Sequence, residues 1–160
     1  MTTDLAALLR ELLRRGEPDA GEPGLQRALF SGEGLNLAAV CILDAIRDHD
    51  CGLVGGLAPG ASALSAAVAL AAHRAGEHLD ALLIQPLGSG EFQLLGPFCP
   101  GDKVAVITGW AGDGEALLTV IAAVEARGGV VRRVVTLVDP QLGAAEVLRD
   151  RGHLLHSILR

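Results

Sequence analysis

The sequence predicts an α/β protein in which helices cover a doubly wound parallel sheet. From residue 51 onward, short aliphatic segments alternate with helical segments, which is the order expected of parallel strands joined by crossover helices. Hydrophobic residues make up 50% of the chain, with no tyrosine, one tryptophan and three phenylalanines. Such an aliphatic core suits strands that are buried on both faces. A length of 160 residues suits a single domain with one sizeable core.

The N-terminal part of the chain is predicted to be helical. Leucines recur there at helical spacing, and a cluster of Gly and Pro interrupts the pattern. We expect the first 24 residues to form a helix and a loop at the start of one domain spanning residues 1–160. The predicted segments are a helix over 3–15, a loop over 17–24, a polar turn over 30–34 and a helix over 35–48.

The rest of the chain is predicted to alternate between strands and helices. The strand segments are short, apolar and bounded by turn residues, and the first four should be central in the sheet. Gly76 is expected to stop the helix before it from the C′ position, and residues 86–96 should form an exposed hairpin or mobile loop. The predicted strands are 51–57, 79–84, 103–107, 130–138 and 154–159, and the helices are 62–75, 115–127 and 142–150.

Composition and charge exclude several classes of function. The formal net charge of −6 leaves no basic stripe that could replace phosphate counterions, so we expect no nucleic-acid partner. The chain has neither a signal-peptide pattern nor an uninterrupted apolar span, so we expect a cytoplasmic protein without membrane contact. Cys41, Cys51 and Cys99 lie outside any CxxC spacing. They are expected to be small buried hydrophobes, not disulfide partners or metal ligands.

Other kinds of active site find little support. Gly109, Gly112 and Gly114 follow a strand, but their order is not that of a dinucleotide-binding loop. The histidines show no metal spacing, and His153 and His156 are expected to be an edge or interface pair. The motif Gly-x-Ser-x-Gly is absent, so no Ser-His-Asp arrangement is inferred.

Two loops stand out because ligands of open parallel sheets bind where strands end and loops lead into helices. These loops are residues 55–62 and 108–116. Residues 53–61 read LVGGLAPGA, which resembles the pyrophosphate loop of the orotate phosphoribosyltransferase family. Residues 96–104 (GPFCPGDKV) are similar to the approach to that family's signature strand. LVDP at 137–140 and GHLLHS at 152–157 are similar to its closing elements, so the resemblance extends from about residue 25 to 160.

The resemblance assigns two groups of ligand-binding residues and implies a type I phosphoribosyltransferase fold. At the positions of the family's paired signature acids, this chain has Thr108 and Gly109. No Lys or Arg occurs between Arg74 and Lys103, where the family carries cations that neutralise pyrophosphate. The pyrophosphate-like loop contains Gly56, Ala58, Pro59 and Gly60, and the degenerate phosphate loop contains Thr108, Gly109, Gly112, Asp113, Gly114 and Glu115.

Three side chains near the second loop are open to more than one interpretation. Asp113 and Glu115 are expected to cap the following helix, and the alternative is that they bind a cationic ligand. Trp110 is expected to fill the pocket, and the alternative is that it covers the pocket as a lid.

The departures from the family pattern predict an orotate-phosphoribosyltransferase-like protein whose catalysis is impaired. We expect it to act as a ligand-binding or regulatory homodimer, with a small-molecule ligand, no catalytic residue and no cofactor. The alternative is an active phosphoribosyltransferase of pyrimidine metabolism that uses magnesium and acts on a less anionic substrate. Its missing charge could also come from Arg132, Arg133 or a partner subunit.

Overall fold

A six-stranded sheet with helices on both faces forms the protein, as described by a computed structural model for residues 4–15 and 21–159. A short 3-10 turn at Arg47–His49 follows the third helix. The helices are α1 (Leu5–Arg15), α2 (Gly21–Leu29), α3 (Gly32–Ile46), α4 (Ser62–Arg74), α5 (Glu115–Glu125) and α6 (Ala144–Asp150). The strands are β1 (Leu53–Leu57), β2 (Asp80–Pro86), β3 (Phe92–Leu95), β4 (Lys103–Trp110), β5 (Val130–Val138) and β6 (Leu155–Leu159).

The strand order β3-β2-β1-β4-β5-β6 confirms the predicted fold class. Every neighbouring pair is parallel except β2 and β3, which form an antiparallel hairpin at one edge. An antiparallel edge strand on a parallel sheet is common in this class. The four strands predicted to be central are central, and the excursion after β2 is the hairpin.

The core lies on both faces of the sheet because successive strand residues point to opposite sides. Val54 and Ala105 pack with α1, α3 and α4 on one face. Leu53 and Val104 pack with α5 and α6 on the other face. These side chains are buried almost completely, which explains why the strands read as near-continuous aliphatic runs.

The helix α4 ends as predicted. Gly76 has φ +75°, a left-handed conformation that glycine adopts without steric cost. The amide of Gly76 donates to the carbonyl of His73, and the amide of Glu77 donates to the carbonyl of Ala72. These bonds satisfy carbonyls that the helix end leaves without partners.

The loop predicted over 17–24 and the turn over 30–34 are both shorter than expected. Residues 16–20 lie outside the described residues, but α2 already begins at Gly21, and Pro23 is tolerated in the first turn of a helix. The hydroxyl of Ser31 accepts a hydrogen bond from the amide of Gly34 at 2.9 Å. This N-cap lets α3 begin at Gly32.

Other boundaries and one cysteine also differ from the expectations. β4 continues through Trp110, so Thr108 and Gly109 lie in a strand and not in the loop. Cys41 is buried and Cys51 half-buried, but Cys99 is exposed, because it lies in the turn before β4. His153 precedes β6 and lies outside it, with Nε2 3.5 Å from Oε1 of Glu125.

The expectation that the protein makes no membrane contact can be compared with the length and polarity of its helices. Among the described residues, no single helix is long and apolar enough to cross a membrane. One bent pair, Gly21–Leu29 with Gly32–His49, passes the same test by length and composition when its two helices are taken together.

Candidate functional site

The two loops singled out by the sequence lie side by side at the carboxyl edge of the sheet. β1 and β4 are neighbouring parallel strands, so the loop after Leu57 and the loop after Trp110 emerge at the same edge. Each loop leads directly into a helix, α4 or α5. This is the place where open α/β sheets bind ligands.

The pyrophosphate-like loop and the end of β1 that leads into it pack tightly against β2 and β4. The amide of Ala58 donates to the carbonyl of Ile84 at 2.8 Å, and the amide of Ala61 donates to the carbonyl of Leu57 at 2.9 Å. A Cβ added at Gly56 would lie 2.3 Å from the carbonyl oxygen of Ile107 and 2.5 Å from Cβ of Ala61. Only glycine fits there, because the backbones of β1 and β4 and the start of α4 meet at this point.

The second loop is a glycine turn that uses its own carboxylate. Gly112 and Gly114 have φ +57° and +91°, so both are in the left-handed region that favours glycine. The carboxylate of Asp113 accepts a hydrogen bond from the amide of Glu115 at 3.1 Å, and Glu115 lies in the first turn of α5. Glu115 lies near the positive end of the helix dipole, as expected. The Asp113 arrangement, however, is an Asx-type turn before α5 and not a side-chain N-cap, because the N-cap residue is Gly114 and no side chain caps it. It also means that a protein carboxylate already occupies one of the amides that could hold a phosphate.

Thr108 and Gly109, which the resemblance matches to the paired acids of the family, have different surroundings from each other. The hydroxyl of Thr108 is half-buried and donates to the carbonyl of Trp110 at 3.2 Å. A Cβ added at Gly109 would lie 3.4 Å from Cδ1 of Leu29 and 3.6 Å from Cδ2 of Leu25. The second position therefore faces the apolar side of α2, where a carboxylate would be desolvated.

A cavity of about 220 Å³ opens between the first loop, the end of β4 at Gly109, and the helices α2, α3 and α4. None of the described residues that line it carries a charge, and its polar side chain is that of Gln26. Phe30 is 75% exposed at this cavity. The lining residues are Gln26, Leu29, Phe30, Leu35, Pro59, Gly60, Ala63, Leu64 and Gly109.

The cavity gathers only part of the residues expected from the sequence. Pro59, Gly60 and Gly109 line it, whereas Thr108, Gly112, Asp113, Gly114, Glu115, Gly56 and Ala58 are not among its lining residues. The contribution of α2 and α3 was missed because this part of the sequence carries no recognisable binding motif. The usable signal was Ser31, a helix-capping residue that marks a helix pair in this region.

Trp110 does not line this cavity. Its Cη2 atom is 4.0 Å from the point where a Cβ at Gly21 would lie, and its Cδ1 atom is 3.9 Å from the corresponding point at Gly112. The indole therefore lies close to both the start of α2 and the glycine turn. Its role at the turn, filling the phosphate pocket or covering it, stays a prediction.

Positive charge is placed away from this edge. Arg132 and Arg133 lie near the beginning of β5, whereas the candidate site is at the carboxyl ends of β1 and β4. Because β5 runs parallel to β4, these arginines belong to the opposite edge of the sheet. They do not supply the charge that the sequence leaves missing.

The residues at this edge do not fit a magnesium ion. Magnesium in proteins is held through carboxylates and substrate oxygens, but a hydroxyl and a glycine occupy the two signature positions. Among the described ranges 4–15 and 21–159, no group of three or more His, Cys, Asp or Glu side chains could hold a metal.

Comparison with known proteins gives close relatives, although no family model matches the chain. Orotate phosphoribosyltransferase of Streptomyces avermitilis is 34% identical over 125 residues, which is 76% of this chain and 69% of the relative. The enzyme of the same name from Streptomyces coelicolor is 32% identical over 129 residues, covering 79% of this chain and 71% of the relative.

Solved structures agree with these relatives. Mycobacterium tuberculosis orotate phosphoribosyltransferase, in complex with 5-phospho-alpha-D-ribosyl 1-diphosphate, superposes with a TM-score of 0.83 at 28% identity, over 99% of this chain and 90% of the other. A phosphoribosyltransferase from Corynebacterium diphtheriae has a TM-score of 0.81 at 26% identity, over 99% and 96%. This chain belongs to the orotate phosphoribosyltransferase family.

Proposed function

We propose that this protein acts in pyrimidine nucleotide metabolism by holding a small uncharged molecule in the cavity at the carboxyl edge, without transferring a phosphoribosyl group. The observation that carries the proposal is the pair Thr108 and Gly109 at the positions of the two family acids. The uncharged lining of the cavity supports the class of ligand.

Electrostatics argue against a phosphorylated substrate in this pocket. Such a substrate is multiply anionic, and the exposed carboxylates of Asp113 and Glu115 lie in the loop where its phosphate would bind. Two like unit charges about 4 Å apart repel by roughly 4 kcal/mol at an effective dielectric of 20. A single amide hydrogen bond to a phosphate contributes roughly 1.5–3 kcal/mol and does not offset that repulsion. The amide of Glu115 is also already bonded to the carboxylate of Asp113. Within residues 75–102 the sequence offers no cation that would offset the repulsion.

The lining of the cavity favours a weakly polar aromatic ligand such as an uncharged pyrimidine. Leu29, Phe30, Leu35 and Leu64 provide apolar contacts, and an exposed phenyl ring can stack on a heterocycle. Gln26 offers both a hydrogen-bond donor and an acceptor. Apolar walls with few polar groups are typical of small-molecule sites.

An active transferase is the second candidate, and the comparisons favour it over the noncatalytic one. The close relatives are named as orotate phosphoribosyltransferases, and one similar structure was solved with 5-phospho-alpha-D-ribosyl 1-diphosphate bound. The packing of Gly56 also keeps the pyrophosphate-like loop closed on β4. In this case magnesium would be required, and a partner subunit would supply the missing charge.

Two measurements separate the candidates. Orotate consumption is followed by absorbance with phosphoribosyl pyrophosphate and magnesium, using the Streptomyces avermitilis relative as the positive control. Turnover that depends on the protein would establish the transferase and reject the noncatalytic proposal.

The second measurement is calorimetry with uracil as the probe. We expect saturable binding that Phe30→Ala weakens by at least about fivefold, since stacking on an aromatic ring contributes roughly 1 kcal/mol or more. Leu87→Ala is the matched control, because Leu87 is 51% exposed but does not line the cavity. Equal weakening by both variants, or no uracil binding, would contradict the proposed ligand class.

We also propose that the protein is a cytoplasmic homodimer. The support is the similarity to a family whose members are typically dimers. Sedimentation of the full chain at micromolar concentration should give the mass of two chains, and the mass of one chain would overturn this proposal.

A further inference from the structure

A second cavity lies at the opposite, amino edge of the sheet and has the opposite character. Its volume is about 330 Å³. The side chains of His49, Arg132, Arg133 and His153 line it, and no acidic residue is among the described residues that do so. In a chain of net charge −6, two adjacent arginines with two histidines form an unusual concentration of basic groups.

An irregularity of β5 explains why both arginines reach one cavity. Consecutive residues of a regular strand point to opposite faces of the sheet. Here the register shifts between Val104 and Ala105 of β4, which pair with Val131 and Arg133, so Arg132 is an extra residue opposite this step. A β-bulge of this kind re-aims side chains and occurs frequently beside functional sites.

Two polar atoms at this cavity lack partners within the protein. Nε of Arg133 and Nδ1 of His49 are buried, and neither has a hydrogen-bond partner among the described residues. Both residues line the cavity. Buried polar groups are normally hydrogen-bonded, and an unpartnered donor on a guanidinium is costly. The protein therefore leaves both basic side chains incompletely satisfied at this cavity.

The nearby carboxylates already have other partners. Asp50 forms an ion pair with Lys103, which lowers the pKa of Asp50, mainly through a hydrogen bond, with a smaller contribution from the charge of Arg132. Glu125 lies 3.5 Å from His153. Neither Arg132 nor Arg133 has a carboxylate within ion-pair distance in the described part of the chain. The guanidinium groups are therefore available to a ligand.

We propose that this amino-edge cavity binds a small oxyanion, held by the guanidinium groups of Arg132 and Arg133. Guanidinium groups match the geometry of phosphate and carboxylate oxygens and bind them through paired, charge-assisted hydrogen bonds. The site is separate from the cavity at the carboxyl edge, because it lies at the other end of the same parallel strands. Occupancy would place an anion directly beside the start of β5 and the turn that follows α3.

Calorimetry with inorganic phosphate tests the proposal on the full chain, and a parallel titration with acetate separates phosphoryl from carboxylate ligands. We expect saturable binding of at least one anion at anion concentrations up to about 10 mM. A few charge-assisted hydrogen bonds are sufficient for a dissociation constant in that range. Arg132→Gln removes an exposed side chain and should weaken binding by about tenfold or more. Arg133→Lys keeps the charge but removes the planar guanidinium and its paired donors, and it should also weaken binding.

The matched control is Arg10→Gln, which makes the same change in net charge at an exposed position on α1. Its affinity should equal that of the wild-type protein. Absence of binding by both anions would overturn the proposal. Binding that survives Arg132→Gln and Arg133→Lys unchanged, or that falls equally with Arg10→Gln, would overturn it as well, because the anion would then be bound elsewhere or by net charge alone.

Discussion

Gly56 is the position where a single added methyl group should disturb the candidate site most. An alanine Cβ there would lie 2.3 Å from the carbonyl oxygen of Ile107 and 2.5 Å from Cβ of Ala61. The first contact is with the backbone of β4 and the second with the residue before α4. Neither can move aside by a side-chain rotation, so Gly56→Ala must separate β1 from β4 or displace the start of α4.

The cost follows from what overpacking does in other cores. Inserting a methyl group into a well-packed interior destabilises proteins by about 1–3 kcal/mol, occasionally more. Alanine also restricts the unfolded chain, which returns about 0.4–1 kcal/mol. With two contacts below 3.0 Å, we expect a net loss of about 2 kcal/mol, or about 4–8 °C in the melting temperature of a domain of this size.

Gly52→Ala is the matched control, because a Cβ there meets nothing within 4 Å. Its stability should equal or slightly exceed that of the wild-type protein. Both variants are measured by thermal and urea unfolding followed by circular dichroism. Equal melting temperatures for the two variants would refute the packing of the pyrophosphate-like loop against β4.

Two further predictions concern a hydroxyl and a thiol. Ser65 is fully buried in α4, and its hydroxyl has no hydrogen-bond partner among the described residues. Ser65→Ala should therefore raise the free energy of unfolding in urea by about 1 kcal/mol, whereas the exposed control Ser89→Ala should change it little. A loss of stability with Ser65→Ala would show that the hydroxyl is bonded. Burial raises the pKa of the Cys41 and Cys51 thiols to about 11. A disulfide reagent at pH 8 should therefore modify only the exposed Cys99 quickly, and Cys99→Ser should remove that fast phase. Two or more fast-reacting thiols in the native protein would contradict the burial of Cys41 and Cys51.

Elements with a strong local pattern could be predicted from the sequence. The β-branched run of β5 gave the boundaries 130–138 that the structure has, because such residues favour a pleated, buried surface. Gly76 marked the end of α4 because only a left-handed residue completes that helix end. The two loops could be chosen as candidate ligand sites because ligands of open parallel sheets bind at the carboxyl ends of strands.

Features that depend on tertiary contacts could not be predicted in the same way. Thr108 to Trp110 read as a loop because of their glycine, yet pairing with β5 keeps them in β4. The α2 side of the cavity consists of ordinary side chains such as Leu29, which acquire a role only when the helix packs on the site. The bulge that turns Arg132 into the amino-edge cavity arises from the register between two strands, which residue types do not reveal.

Our proposal that this member of the family does not hold a phosphorylated sugar is tested most directly by calorimetry with phosphoribosyl pyrophosphate and magnesium. The wild-type protein should show no saturable heat at concentrations up to a few millimolar, since Thr108 and Gly109 offer no carboxylate and Asp113 and Glu115 repel the substrate. The Streptomyces avermitilis relative, titrated under the same conditions, shows that the reagents are competent. Saturable, magnesium-dependent binding to the wild-type protein would contradict the proposal, and binding that Thr108→Asp with Gly109→Asp strengthens further would establish the transferase in its place.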